Sequence, residues 1–256
     1  MLPGPNHDVA RCHRRGAHPL VPLLAMVAGL LLAPIPGRAL TLADWTFEDL
    51  GSSIPAGTNF SQNATSGSGS LLVSHASSSA SYTRATGNGS TYSLNSNGWA
   101  INDYFQFSTS TLNSNAIQLS WDQTGSATGP KNFRLSTSID NTTFTPFLDY
   151  AVLLNGTPNS SWNTTSYQSN FTRSVNLSGV TSLNNRNMIY LRLAVLDSAA
   201  INAGGILGAG TSRIDNVRIT GSPIPAAVPV PLPLLGAAAA LAQSRRLRRR
   251  LKAGQP

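Results

Sequence analysis

The side chains able to do chemistry in this sequence are few and unevenly placed. Three of the four histidines (His7, His13, His18) and the only cysteine, Cys12, stand within the first 20 residues, and His75 alone lies beyond them. A Ser-His-Asp arrangement in the rest of the chain has one imidazole to use, and no Gly-x-Ser-x-Gly turn accompanies it. His75 follows Leu71-Leu72-Val73, which reads as a strand and not as a catalytic loop. The same count leaves too few nitrogen and sulfur ligands for a histidine-based zinc site beyond the amino end. Carboxylates remain, nine of them between Leu40 and Gly221. Two at about 5 to 9 Å would suffice for glycoside hydrolysis, but most of these nine fall in turn or edge positions. The acids that stand out are Asp44, Glu48 and Asp49 in LADWTFEDLG and Asp215 in SRIDNVRI.

Sugar recognition asks for a different set: an exposed aromatic face for the C–H groups of a pyranose, with polar side chains for its hydroxyls. Trp99 and Trp121 sit on apolar strand faces and read as core. Trp162 lies in the polar run Asn159-Ser160-Ser161-Trp162-Asn163-Thr164-Thr165 with Tyr167 close by. Two readings stand side by side for it, a lid folded back on the core and a ligand contact.

The elements that would position these residues are strands. Trp99, Ile101, Asp103, Phe105 and Phe107 alternate with other residues, as do Ile117, Leu119 and Trp121, and a period of two marks a half-buried strand. Phe133, Leu135 and Ile139 continue the pattern; Asp140-Asn141 supplies a turn before Phe144 to Leu148. Further strands are predicted at Phe171 to Leu177, Met188 to Leu196 and Arg213 to Thr220. Gly51 to Gly69 and Asn155 to Gln168 are too rich in Ser, Thr, Asn and Gly for core and read as surface loops. Short strands joined by such loops, with no helical stripe, predict an all-β fold. The expectation is one antiparallel, jelly-roll-like β-sandwich of roughly eight to ten strands over residues 40–221.

Charge separates the two ends from this body. Of 18 Lys and Arg, four lie in the first 40 residues and six after Gly221, which leaves eight against nine acids. The basic balance therefore describes the ends and implies no nucleic-acid partner. Arg11, Arg14 and Arg15, the apolar run Leu20–Leu32 and the small residues Gly37 and Ala39 have the form of a signal peptide over residues 1–39. Signal peptidase would be the partner and Ala39 the last residue removed. At the other end, residues 222–256 begin with Pro223, Pro225, Pro229, Pro231 and Pro233, which disfavour helix. Helix can start near Pro233, and from there to Ala242 it would run roughly 15 Å, half of a bilayer core. Arg245, Arg246, Arg248, Arg249, Arg250 and Lys252 follow and would stay on the cytoplasmic side. The ends thus predict export across the inner membrane to the cell surface or beyond, with a transient or retained membrane association through the tail.

The tail VPVPLPLLGAAAALAQSRRLRRRLK resembles the PEP-CTERM sorting signal in its cyanobacterial variant. The resemblance rests on Pro229, Pro231, Pro233, Leu234, Leu235, Gly236 and the arginine cluster from Arg245 to Arg250. Val230 departs from the Glu of the family name and from the Gly usual in this variant. The resemblance implies recognition and removal of the tail by an exosortase; an ordinary C-terminal anchor helix is the alternative. Thr128 to Phe147 and Gly210 to Gly221 also resemble segments of secreted proteins of this class. Trp-x-Phe-Glu-Asp near the start and Ile-Asp-Asn-Val near the end resemble the calcium-bearing arrangement of carbohydrate-binding modules. That likeness implies a structural Ca²⁺ held in part by Glu48 and Asp215, since the ion takes about six to eight oxygens. The alternative is that Glu48 and Asp49 are solvated and Asp215 pairs with Arg213 or Arg218 or accepts backbone bonds. Nine Asn-x-Ser/Thr triplets are chance products of this composition.

Three readings follow. One is a non-catalytic exported surface or matrix protein associated with extracellular polysaccharide or adhesion. Another is a carbohydrate-binding module using Trp162, Tyr167 and a structural calcium. The last is a secreted glycoside hydrolase.

Overall fold

The computed structural model describes residues 38–202, 204–226 and 234–253; the signal-peptide reading and Pro229, Pro231 and Pro233 fall outside them. Two 12-residue strands form the spine of the larger sheet, β8 (Ser114–Gly125) and β14 (Ser212–Pro223), paired antiparallel. Short strands share their outer edges. Along β14 lie β1 (Leu40–Trp45) and β6 (Ser93–Ser96); along β8 lie β12 (Thr172–Asn176) and β11 (Leu153–Leu154). The eight-stranded sheet is completed by β3 (Ser66–Gly67) on β1 and β5 (Tyr82–Ala85) on β6. The second sheet has six strands, all antiparallel. Its order is β10 (Thr145–Ala151), β9 (Asn132–Ser138), β13 (Ile189–Val195), β7 (Tyr104–Thr109), β4 (Gly69–Ser74) and β2 (Asn59–Asn63).

The fold is the expected antiparallel β-sandwich, and its first and last strands pair. Alternation decides which side chains meet between the sheets. In β13 every second residue from Ile189 to Val195 is buried, because successive side chains point to opposite faces. Trp45 of the larger sheet meets Phe107 of the smaller one edge-on at 5.0 Å, and Trp121 meets Tyr150 at 5.2 Å. Trp99 and Trp121 are core residues as predicted.

Three local predictions are corrected. The alternation from Trp99 does not begin a strand there, since residues up to Asp103 form a turn. Asn102 takes φ +70° and Asp103 accepts the N–H of Ala100, a side-chain bond that competes with strand pairing; Ile101 is left exposed. The polar stretch Gly51 to Gly69 contains β2 and β3. An edge strand pairs on one side only and needs little apolar surface, and in β2 Phe60 is the residue packed on the core. At the carboxyl end the helix α1 (Leu234–Ala253) runs 20 residues, through the arginine cluster. Ala, Leu, Gln, Arg and Lys are all strong helix formers, so the helix continues past the apolar run. Among the described residues no helix is long and apolar enough to cross a membrane.

Candidate functional site

On the outer face of the larger sheet, Asp122 of β8 stands directly opposite Asp215 of β14. A β-bulge places a third group beside them. Between Asp215 and Arg218 the register slips by one residue, and Asn216 takes φ +48°. Asn tolerates that left-handed geometry, and bulges re-aim side chains. The amide of Asn216 consequently turns back onto both acids, donating to Asp122 Oδ2 at 2.8 Å and to Asp215 Oδ2 at 3.5 Å.

Asn88 closes the arrangement from above. Its N–H donates to Asp215 Oδ2 (2.8 Å) and its side-chain amide to Asp122 Oδ2 (3.0 Å), while its Oδ1 accepts the N–H of Gln168 (2.8 Å). Ser90 Oγ donates to Asp215 Oδ2 at 2.6 Å, and the N–H of Asn216 serves Oδ1 at 2.8 Å. Asp122 Oδ1 takes the hydroxyls of Thr172 at 2.6 Å and Tyr167 at 3.5 Å, and those two hydroxyls also bond each other. The segment carrying Asn88 is tied to the long loop by Gly89 N–H to the Asn163 carbonyl, 2.9 Å. Asn88, Asp122 and Asp215 are thereby fully enclosed. Burial pushes the Asp215 carboxyl up to about 7, against the pull of the bonds from Ser90, Asn88 and Asn216; the charge of Asp122 adds to the rise.

This geometry speaks against a glycosidase pair. Both oxygens of Asp215 are occupied by donors and the group has no exposed surface, whereas a catalytic acid must reach the leaving oxygen. His75 forms no triad either. Its Nδ1 meets Asp103 Oδ2 at 3.1 Å, its ring lies against Trp99 and Tyr82, and its buried Nε2 has no hydrogen-bond partner.

Beside the buried acids an open cleft of about 340 Å³ remains, bordered by Asp44, Asp122, Tyr167, Thr172, Asn216 and Arg218. Arg218 Nε donates to Asp44 Oδ1 at 3.2 Å across the β1–β14 pair. Asp215 thus accepts backbone bonds, as one sequence reading had it, while Arg218 pairs with Asp44. Tyr167 is 54% exposed at the rim of the cleft.

Of the two readings of Trp162 the lid is the one the structure has, and the ligand contact is corrected. It is 4% exposed and meets Phe171 edge-on at 5.9 Å, with the Arg213 guanidinium 5.9 Å from its ring centroid. The polar loop around it is a cover whose one large apolar side chain turns inward, so the ring offers no free face to a sugar.

The two predicted calcium ligands converge on one segment. Glu48, in the turn after β1, accepts the N–H of Tyr92 at 2.9 Å, and Asp215 accepts from Asn88 and Ser90. A Cβ built on Gly87 would lie 1.9 Å from Ser90 Oγ and 2.7 Å from both Asp215 Oδ2 and the Tyr92 carbonyl oxygen. Carboxylate, hydroxyl and carbonyl oxygens therefore crowd one side of Gly87, the ligand type Ca²⁺ takes, while Asp215 Oδ2 there is also held by the Asn88 N–H and the Asn216 amide, which an ion would have to displace. Among the described residues no group of three or more His, Cys, Asp or Glu side chains is placed to hold a metal, so neutral oxygens would have to complete the shell.

Asn88, Asp122 and Asn216 were missed as site residues. One signal was available: Ile214, Val217 and Ile219 are spaced three then two, the mark of an inserted residue at Asp215-Asn216. Nothing local marks Asn88, which meets Asp122 only through the fold.

No protein-family model matches the sequence, and no curated protein matches it. Solved structures with a similar architecture exist. The CBM22-1–GH10 modules of endo-1,4-β-D-xylanase 10B from Clostridium thermocellum, complexed with xylohexaose, share 13% identity at a TM-score of 0.39. That match covers 74% of this chain and 30% of the xylanase chain, so this chain spans under a third of that structure. TmCBM27, a carbohydrate-binding module studied for mannan recognition, is 12% identical at a TM-score of 0.36, over 72% of this chain and 98% of its own. The K3 cleaved adhesin domain of Lys-gingipain from Porphyromonas gingivalis is 13% identical at 0.37, over 70% and 98%. These likenesses concern the architecture alone.

Proposed function

We propose that the sandwich is a non-catalytic carbohydrate-binding domain of an exported surface or matrix protein, and that its ligand sits in the cleft beside Tyr167. The observation that carries this reading is the cleft itself. One exposed aromatic ring stands next to the Asn216 carboxamide, the Asp44 carboxylate, the Thr172 hydroxyl and the Arg218 guanidinium, all carried on strands of the larger sheet. A pyranose needs that combination, a flat face for its C–H groups and fixed donors and acceptors for its hydroxyls. Trp162 has no direct part in it; its role is to anchor the loop from which Tyr167 projects.

Calcium belongs to the proposal as a structural ion. Glu48 and Asp215 would hold it with the Ser90 hydroxyl and the Tyr92 carbonyl. Its charge would compensate a carboxylate that burial otherwise holds close to neutral, and the turn after β1 would be tied to β14. For the tail we retain the sorting reading, in which an exosortase removes the residues after the Pro-x-Pro region.

Glycan-array and calorimetric binding of Tyr167→Ala test the domain reading. We expect loss of binding to neutral polysaccharide with melting unchanged, and undiminished affinity would remove the cleft from consideration. The intact mass of the protein recovered from its native surface tests the tail: a form beginning near Leu40 and lacking Arg245 to Lys252 is expected. Retention of those arginines would make the tail an ordinary anchor.

A further inference from the structure

On the outer face of the six-stranded sheet one cation, Arg192, has no anion within ion-pair distance among the described residues. Arg192 of β13 lies half-buried between two aromatic rings, its guanidinium carbon 4.0 Å from the centroid of Tyr104 and 3.5 Å from that of Phe144. Both its Nε (3.0 Å) and its Nη2 (2.7 Å) donate to Gln106 Oε1. Gln106 is fixed in turn, its amide donating to Asn141 Oδ1 at 3.0 Å. One edge of the guanidinium is therefore locked by a neutral amide and its plane is set by two rings.

The opposite edge, Nη1 together with the second hydrogen of Nη2, makes no hydrogen bond among the described residues, and no carboxylate there lies within ion-pair distance of Arg192. The other cation of this face is already neutralised, since Arg134 forks onto both oxygens of Asp149 at 2.7 and 2.8 Å. Desolvation lowers the Arg192 pKa from its ordinary value, as expected for a charge held partly out of water without a counter-ion.

A planar guanidinium presenting two parallel N–H groups is shaped for a carboxylate. Its surroundings are hydroxyl-bearing. Ser136 stands across the strand pair from Arg192, and Tyr190, two residues along the same face, stands opposite Ser108 and Ser138.

We propose that this face carries a second binding site, on the sheet opposite the Tyr167 cleft, in which Arg192 receives the carboxylate of a uronic acid within an acidic polysaccharide. The site is independent of the cleft. With both occupied, one domain would bridge a neutral and an acidic polymer.

The test is binding of the full domain to polygalacturonate, dextran sulfate and unmodified dextran at low ionic strength, by affinity electrophoresis and calorimetry. Polygalacturonate should bind, and Arg192→Gln should weaken it about tenfold or more, the range of a lost charge-assisted hydrogen bond. Arg192→Lys should weaken it as well, because an ammonium lacks the fork. Free galacturonate, but not galactose, should displace the polymer from the unaltered protein, which keeps the test decisive should a variant misfold. Tyr167→Ala should leave polygalacturonate binding intact, so a failure of the cleft reading and a failure of this one remain distinct. Absence of polygalacturonate binding, or binding indifferent to Arg192→Gln, overturns the proposal. Equal retention of dextran sulfate and polygalacturonate by Arg192→Lys would show that the face reads charge alone, and the carboxylate assignment would fall.

Discussion

Asp122 and Asp215 project from the outer face of the eight-stranded sheet, yet they are 1% and 0% exposed. On the outer face of the six-stranded sheet Arg134 and Asp149 keep 38% and 48% of their side-chain surface. Both faces are rows of polar side chains alternating with core residues, and strand periodicity treats them alike. The difference lies in what is laid over them. Residues 87–92 and the loop before β12 close over the first face, anchored by Asn88, by Gly89 to Asn163 and by the inward Trp162. Over the second face the turn carrying Asn141 and Phe144 holds Arg192 from one side and, among the described residues, leaves its end free. A covered polar face becomes a hydrogen-bonded inner layer with an open cleft at its edge; an uncovered one keeps its charges available to a ligand.

The largest effect expected from breaking this contrast follows removal of the cover's anchor. Trp162→Ala should cost about 3 to 5 kcal/mol, the usual range for a large buried aromatic, and should expose Asp122 and Asp215 together. Urea unfolding checks it, and an unchanged midpoint would mean that the loop is held without the ring.

The next effect is on pH dependence. The folded carboxyl of Asp215 lies near 7 against an ordinary value of 3.8. Its proton is therefore held more tightly in the folded state than in the unfolded one. The stability it contributes is fully present below about 4 and is lost as pH rises through about 7. Thermal melts of the wild type and Asp215→Asn across that window should diverge in slope. Saturating calcium should flatten the wild-type slope by favouring the ionised form, and chelator should restore it. A slope unaffected by calcium would exclude Asp215 as a ligand.

The smallest expected change belongs to the open face. Arg192→Gln should move the melting temperature little, because the residue is only half-buried and forms no ion pair among the described residues, so its loss should register in acidic-polymer binding. A large drop in melting would sharpen the comparison in the other direction, by making the Tyr104–Arg192–Phe144 stack a structural staple.

Much of the fold was legible, because period-two burial is written directly in residues such as Leu191, Leu193 and Val195. The strand-first, loop-second reading failed where side chains redirect the backbone. Asp103 looked like one more residue of an alternating strand, but its carboxylate accepts N–H groups from Ala76 and Ala100 and holds a turn. Trp162 left a lid and a ligand contact both open because its neighbours are polar, and the lid is what forms, since a flat apolar ring in a polar loop gains most by turning inward onto Phe171. Tyr167, five residues on, keeps its ring outside while its hydroxyl reaches Thr172 and the buried Asp122.

By itself the sequence determined the class of the fold, the confinement of the excess positive charge to the two ends, and a poverty of catalytic groups. All three depend on composition and on spacing along the chain, which need no partner to be read. Only the tertiary structure decided that Asp122 faces Asp215, that Asn88 seals them from 34 and 127 residues away, and that Gln106 occupies one edge of Arg192 and not the other. Those relations are set by strand register and loop closure, and register depends on which distant strand is paired. Local sequence does not specify that partner.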